Sequence, residues 1–125
     1  MIMYVDKDGQ TITRRKVTSL SDQDQFFQVK VASDNGVYLI GKSLTNVLVA
    51  KAEFVGNKFI VNWSKTISFP GLDLEDISAV IDEYDEMYIV GTYHETSGNV
   101  RNKIAVLKID SSAAVKFYKS YTFPG

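Results

Sequence analysis

Short apolar runs separated by turn residues recur along the whole chain. The runs lie at residues 25–32, 37–43, 47–54 and 59–69, and again at 77–82, 87–93, 103–110 and 114–123. Val, Ile, Phe and Tyr dominate these runs, and such residues favour strands. Asn35-Gly36, Gly56-Asn57 and Gly98-Asn99, which lie between runs, suit hairpin turns. The pattern predicts an all-β chain of short antiparallel strands and no helix of useful length.

The runs differ in how apolar and polar residues alternate. In the fourth run, Lys65 alone interrupts an apolar face that consists of Phe59, Val61, Trp63, Ile67 and Phe69. The opposite face of this run is polar, which is typical of a strand with one face in water. The second run is apolar on both faces over residues 37–40. Such a strand is expected to be sandwiched between two layers.

Internal similarity divides the chain into units. Residues 63–71 align with 117–125, residues 38–41 with 88–91, and residues 49–53 with 106–110. At the front, residues 2–6 and 10–18 resemble only the later parts of a unit. We therefore predict a partial repeat at 1–21 that supplies the outer two strands of a unit, a full repeat at 22–71 and a second full repeat at 72–125.

Each full unit is expected to be a four-stranded antiparallel meander with a buried inner strand and a half-solvated outer strand. This gradient is typical of a propeller blade, so the predicted fold is all-β, with tandem propeller-blade-like meanders that form a partial propeller. The alternative is a β-sandwich or a small barrel. Because propellers close with about four to eight blades, two and a half blades predict either a piece of a longer array or an oligomer.

Several segments carry a family resemblance. Residues 61–66, 76–82, 87–91 and 104–110 resemble the blade of the bacterial and archaeal β-propeller repeat family, although Phe117 replaces the family's tryptophan and Glu86 a turn glycine. The resemblance implies a propeller fold, found mostly in surface or secreted multi-repeat proteins, with no shared catalytic residues. It favours an extracellular or cell-surface location, although no signal peptide is visible in this chain.

Composition narrows the classes of partner. The 125 residues carry a net charge of −1, which excludes a broad basic surface for nucleic acid or for an anionic membrane. No apolar run approaches the length needed to insert into a membrane. The chain has no cysteine and one histidine, so thiolate chemistry and histidine-rich metal sites are excluded. Basic residues predominate in 1–71 and acidic residues in 72–125, an asymmetry that could guide head-to-tail contact but is also typical of solvated strand edges.

Candidate chemistry is sparse. Asp6-Lys7-Asp8-Gly9 and the acidic run 82–86 could bind calcium, but each is more typical of an exposed turn. His94 beside Glu95 could act as an acid and base, yet it is expected in a long turn without a partner. The aromatic residues Trp63 and Phe117 are expected in the core, although either could stack on a sugar or a base. Lys51 and Lys108 recur at one position of both units, which favours a structural role.

No catalytic, cofactor-binding or metal-binding residue is therefore assigned, and no cofactor is expected. The predicted function is a non-enzymatic structural or protein-interaction scaffold whose partner is protein, either another copy of the chain or neighbouring blades. The alternative is a surface protein that binds carbohydrate or calcium through blade loops such as residues 92–102. The small-molecule ligand, if there is one, stays open.

Overall fold

The computed structural model describes residues 2–5, 8, 11–15, 24–56, 58–68, 72–95 and 103–122. Over these residues the chain consists of antiparallel strands, and no helix capable of spanning a membrane is found among them. A hairpin pairs β1 (Ile2–Val5) with β2 (Thr11–Arg15). The first sheet contains β3 (Asp24–Val31), β4 (Val37–Ser43), β5 (Asn46–Val55) and β6 (Lys58–Ile67), and the second contains β7 (Leu72–Ile81), β8 (Met87–Glu95), β9 (Lys103–Ile109) and β10 (Val115–Thr122).

In both sheets the spatial order of the strands follows the chain. The predicted all-β fold with tandem four-stranded antiparallel meanders is therefore confirmed. β7 starts five positions before the apolar run that predicted it. Its first residues belong to an acidic segment, residues 73–76, whose backbone nevertheless pairs with β8. Strand pairing with a neighbour has outweighed the low β-propensity of Asp and Glu.

Three hairpin turns share one conformation. In each, a backbone N–H closes onto a carbonyl four residues later, as from Ala32 N to Gly36 O at 2.8 Å. The next-to-last turn residue has a positive φ: Asn35 at 64°, Asp85 at 59° and Ala113 at 63°. Asn and Asp tolerate this left-handed region better than most residues. Ala113 has no such advantage, so residue chemistry favours this conformation in two of the three turns.

The second strand of the first sheet is buried on both faces, as predicted. Tyr38, Leu39 and Ile40 in β4 are all 0% exposed. Tyr38 and Ile40 belong to a cluster shared with the second sheet, whereas Leu39 packs with Ala50 and others on the far side. Successive side chains of β4 thus pack into two separate apolar layers, one on each face of the sheet.

The predicted single apolar face of the fourth strand is wrong, because β6 contains a bulge. Lys51 pairs with Trp63 but the next residue, Ala52, pairs with Val61, which leaves Asn62 as an extra residue. An extra residue reverses the facing of everything beyond it. Trp63 consequently packs toward the second sheet, with Ile67, whereas Phe59 packs on the far side. Phe69 lies outside the described residues.

The same bulge recurs in the other outer strands. In the second sheet, Lys108 pairs with Phe117 and Ile109 with Val115, so Lys116 is the extra residue. In the hairpin β1–β2, a register shift lies between Tyr4 and Val5. These shifts fall at positions that the sequence alignment of the units equates, so the aligned residues also occupy equivalent places in their sheets.

The backbone of β3 passes close to Gly41 of β4. A Cβ built on Gly41 would lie 1.8 Å from the carbonyl oxygen of Gln25 and 2.6 Å from the Cα of Phe26. These are backbone atoms beside the bulge of β3, which lies between Phe26 and Gln28. No side-chain rotation can relieve such a clash, so only glycine fits.

We expect Gly41→Ala to lower the free energy of unfolding by about 3 kcal/mol or more, because the sheet must open to accept the methyl group. The matched control is Gly56→Ala, where a Cβ would meet nothing within 4 Å and only the positive φ of 53° is unfavourable. That control should cost about 1 kcal/mol. Urea denaturation of both variants checks the ranking, and equal losses would contradict it.

Candidate protein-binding interface

Most of the largest buried side chains among the described residues meet where the two sheets face each other. We call the first sheet's contribution the docking face, and it consists of Tyr38, Ile40, Val47, Val49, Trp63 and Ile67. The second sheet's contribution, its inner face, includes Ala79, Met87, Ile89, Tyr93, Ala105, Leu107 and Ile109. These residues form one apolar cluster, so the two sheets share a single core.

Strand register places the docking-face side chains next to one another. Tyr38 lies opposite Lys51, and Lys51 lies opposite Trp63, so the three form a row across β4, β5 and β6. Ile40 and Val49 form the neighbouring row. The rings of Tyr38 and Trp63 lie 6.2 Å apart at their centroids and are tilted by 57°. Such cross-strand rows present a continuous apolar surface to the second sheet.

The two sheets make opposite use of their faces. In the alignment of the units, Tyr38 is equivalent to Tyr88 and Leu39 to Ile89. The first sheet contacts the second through Tyr38, but the second contacts the first through Ile89. The interface is therefore heterologous, or head-to-tail, because each side uses a different surface of the unit.

Polar groups at the margin fix the orientation of the sheets. The Tyr38 hydroxyl donates to the carbonyl of Ser111 at 3.1 Å, and Lys65 Nζ donates to the carbonyl of Ser112 at 3.2 Å. Both carbonyls belong to the turn between β9 and β10. At the other edge, the Ala79 N–H donates to Oε1 of Gln28 at 2.6 Å. These bonds satisfy backbone groups that sheet pairing leaves free, and each is worth about 1 kcal/mol.

Asp85 makes two polar contacts between the sheets, both to one residue. Its two carboxylate oxygens accept from the Ser33 backbone N–H and from the Ser33 hydroxyl, each at 2.8 Å. Asp85 is only 7% exposed and is the one buried charged residue among those the structure describes. It joins the β7–β8 turn to the β3–β4 turn, and a charged acceptor makes such bonds stronger than neutral ones.

Replacing this carboxylate should weaken the contact between sheets. We expect Asp85→Ala to cost about 1–3 kcal/mol of unfolding free energy, since the Ser33 N–H loses its acceptor. Glu83→Ala, on the same turn but exposed, is the matched control and should change little. A double-mutant cycle with Ser33→Ala, measured by urea denaturation, should give a coupling above about 0.5 kcal/mol. Strict additivity would show that the bond from the Ser33 hydroxyl contributes nothing.

Lys51 connects the docking face to the turn between β3 and β4, which contains Asp34. Its Nζ lies 2.7 Å from Oδ2 of Asp34 and 4.9 Å from the centroid of the Tyr38 ring. The Lys51 hydrogen bond, followed by the Gly36 N–H, holds the pKa of Asp34 below its ordinary value. Burial raises the pKa of Tyr38 against the opposing effect of the Lys51 charge. Lys51 therefore covers the edge of the aromatic row with its stem and ammonium.

Stability should fall in acid. Asp34 and Asp110 both have a pKa lowered in the folded chain, by Lys51 and by the Ser112 side chain respectively. A lowered folded-state pKa stabilises the fold above the unfolded-state pKa, and the contribution disappears as the pH falls through the folded-state value. The unfolding midpoint in urea should decline below a pH of about 4.

The variant Asp34→Asn should flatten this decline. In a Lys51→Met background the same change should flatten it less, because the main cause of the shift is already gone. An acid profile identical in all four proteins would show that the ion pair has no influence on stability.

The outer side of the second sheet repeats the arrangement around Lys51. Lys108 Nζ lies 4.9 Å from the centroid of the Tyr88 ring and 3.5 Å from Oε2 of Glu86. The rings of Tyr88 and Phe117 lie 6.5 Å apart at their centroids and nearly edge to face. The structural role predicted for the two recurring lysines is therefore confirmed: each carries a cation–π contact within its own sheet.

The sequence candidates for catalysis and metal binding do not converge. Of residues 6–9, only Asp8 is described, in an exposed turn. His94 was predicted in a long turn, but its backbone lies in β8, paired with Asp73. The His94 and Glu95 side chains and residues 96–102 lie outside the described part. The structure thus places the backbone of His94 in a sheet, where the sequence predicts a turn.

The acidic run 82–86 is built into the turn. Asp82 Oδ1 accepts from the N–H groups of Tyr84 and Glu86, each at 2.9 Å. Asp85 contacts Ser33 and Glu86 contacts Lys108, as described above. In the part of the chain that the structure describes, no group of three metal-ligating side chains lies together.

The Asp85–Ser33 contact is what sequence reasoning missed. Asp85 was identified only as a member of an acidic turn, and Ser33 was not singled out. The available signal was that Asp85 aligns with Asn35, the residue that carries a positive φ in the equivalent turn. Its pairing partner is far away in sequence and could not be read from local pattern.

Comparison of the chain with known protein families, with curated proteins and with solved structures finds no match. The resemblance to the β-propeller repeat family therefore stays a prediction.

Proposed function

We propose that the chain is a non-enzymatic structural scaffold of propeller-blade-like repeats, whose sheets bind protein by packing face against face. The observation that carries this proposal is the head-to-tail interface between the first and second sheets. Its apolar cluster contains most of the buried hydrophobic residues that the structure describes, such as Tyr38, Ile89 and Leu107. The fold therefore already contains one working example of the interaction that the proposed function requires.

A head-to-tail interface uses different surfaces of its two partners, so the same kind of contact can be made again at each end. An isologous contact would use the same surface twice and then stop, whereas this contact can be repeated to give a ring or an open stack. The exposed apolar side chains are consistent with such ends. They include Phe27, Val29 and Val31 on β3, and Val90, Phe117 and Tyr121 on the second sheet.

The conspicuous polar residues of the described chain also support a structural role. Lys51 and Lys108 lie against tyrosine rings, while Asp82 and Asp110 accept hydrogen bonds within their own turns. Asp85 joins two turns. These groups are occupied by interactions that hold the fold together.

The proposal predicts a particle heavier than one chain. Sedimentation velocity at increasing concentration should give a mass above 14.0 kDa that rises with concentration. High salt should weaken the association only modestly, because an apolar interface is screened less than an ionic one.

A well-folded monomer over the whole concentration range would contradict self-assembly. A melting temperature that rises with added calcium, or binding on a glycan array, would instead support a ligand-binding surface.

A further inference from the structure

The outer surface of the second sheet has the layout of the docking face. We call this surface the outward face, and it consists of Tyr88, Val90, Val106, Lys108, Phe117 and Tyr121. In the alignment five of these residues match the docking-face residues Tyr38, Ile40, Val49, Trp63 and Ile67, and Lys108 matches Lys51, which lies beside that face. Five of the six residues are apolar or aromatic, and the sixth is the lysine that lies on the tyrosine ring in both sheets.

The two equivalent surfaces differ in whether anything covers them. Ile40 is 0% exposed, whereas the equivalent Val90 is 42% exposed. Phe117 is also 42% exposed and Tyr121 is 50% exposed. Bringing such side chains out of water contributes roughly 25 cal/mol per Å² of apolar surface. The outward face is thus an apolar patch of the kind that marks a protein contact.

The occupant can be inferred from the chain itself, because the docking face is seen with its partner in place. That partner is a four-stranded antiparallel sheet with Ala79 and Ala105 on its inner face, which permit close approach, and with Ile89 and Leu107 beside them. We propose that the outward face binds a further four-stranded sheet whose inner face is like that of the second sheet. This inference rests on the proposed scaffold function and adds which face is used and what it binds.

Polar positions at the margin of the outward face refine the partner. Tyr88 and Lys119 align with Tyr38 and Lys65, which donate to the turn carbonyls of Ser111 and Ser112. The bound sheet should therefore present two turn carbonyls in the same place. Such bonds orient one sheet on the other, in addition to the apolar contact.

One position discriminates among possible partners. Glu83 aligns with Ser33, the residue that donates to Asp85 across the existing interface. A partner with an acidic residue at the position of Asp85 would bring two carboxylates together, which is unfavourable. The preferred partner carries a neutral or basic residue there, so it is not an identical copy of the second sheet.

A tandem fusion tests the inference, since the chain contains no cysteine to interfere. A second copy of residues 72–125 is added directly after Gly125, with Glu83→Cys in the original sheet and Asp85→Cys in the added one. This pair also removes the repulsion between the two acids. The parent chain with Ser33→Cys and Asp85→Cys calibrates the yield, because these two residues are in contact. Mild oxidation followed by a gel shift measures the disulfide, and circular dichroism checks that the added unit folds.

Two lysine variants serve as a matched pair. Val90→Lys places a charge where the docking face has Ile40, so it should lower the disulfide yield in the fusion about tenfold. Val80→Lys places the same charge on the same face, but there the first sheet already carries Lys30. Val80 is 60% exposed, and this variant should leave the yield unchanged.

The inference is supported if the fusion forms the disulfide as fully as the parent and only Val90→Lys prevents it. A folded fusion that fails to form it, or one that forms it equally with Val90→Lys, overturns the assignment of this face. That result is distinguishable from a failure of the proposed scaffold function. Sedimentation could still show that the chain assembles through another surface. Conversely, the chain could stay monomeric although the fused sheet docks on the outward face.

Discussion

The structure depends on a strand that is apolar on both of its faces. β4 places Tyr38 and Ile40 on one side and Leu39 on the other, and all three are fully buried. A single four-stranded sheet cannot satisfy this strand, because one face would remain in water. The second sheet supplies the missing layer on the Tyr38 side. Burial of β4 thus links the stability of the two sheets, so that neither is an independent folding unit in the usual sense.

Apolar packing and polar contacts contribute differently at the interface between the sheets. The apolar cluster contributes most of the free energy, since the hydrophobic effect scales with the surface removed from water. It has little directional preference. The bonds from Tyr38 and Lys65 to one turn, and from Ser33 to Asp85, select one relative orientation of the sheets. A small set of polar groups thus fixes the relative orientation of two sheets whose apolar packing alone would allow several orientations.

Much of the architecture could be predicted from the sequence, because period-two alternation and turn residues are local signals. The strand runs, the double-sided burial of β4 and the structural role of Lys51 and Lys108 were all within reach. The bulge at Asn62 could not be predicted, because no residue type marks an inserted residue and its effect depends on the partner strand. The contact between Ser33 and Asp85 was missed for a related reason: it joins two turns that are adjacent only after the sheets pack. The outward face could be identified only from the sequence and the structure together. The alignment of the units gives its residues, and the structure shows which of them are exposed.

The bulge in the outer strand also bears on how such sheets could change during evolution. Removing Asn62 would turn Trp63 and Ile67 to the opposite side of the sheet, although every remaining residue would keep its side chain. The aromatic row beside Tyr38 would lose its third member, and the far side would gain an indole. A one-residue deletion could thus move part of the apolar binding surface from one side of the sheet to the other. The recurrence of the bulge at Lys116 indicates that both sheets carry the same sensitivity to length at this point.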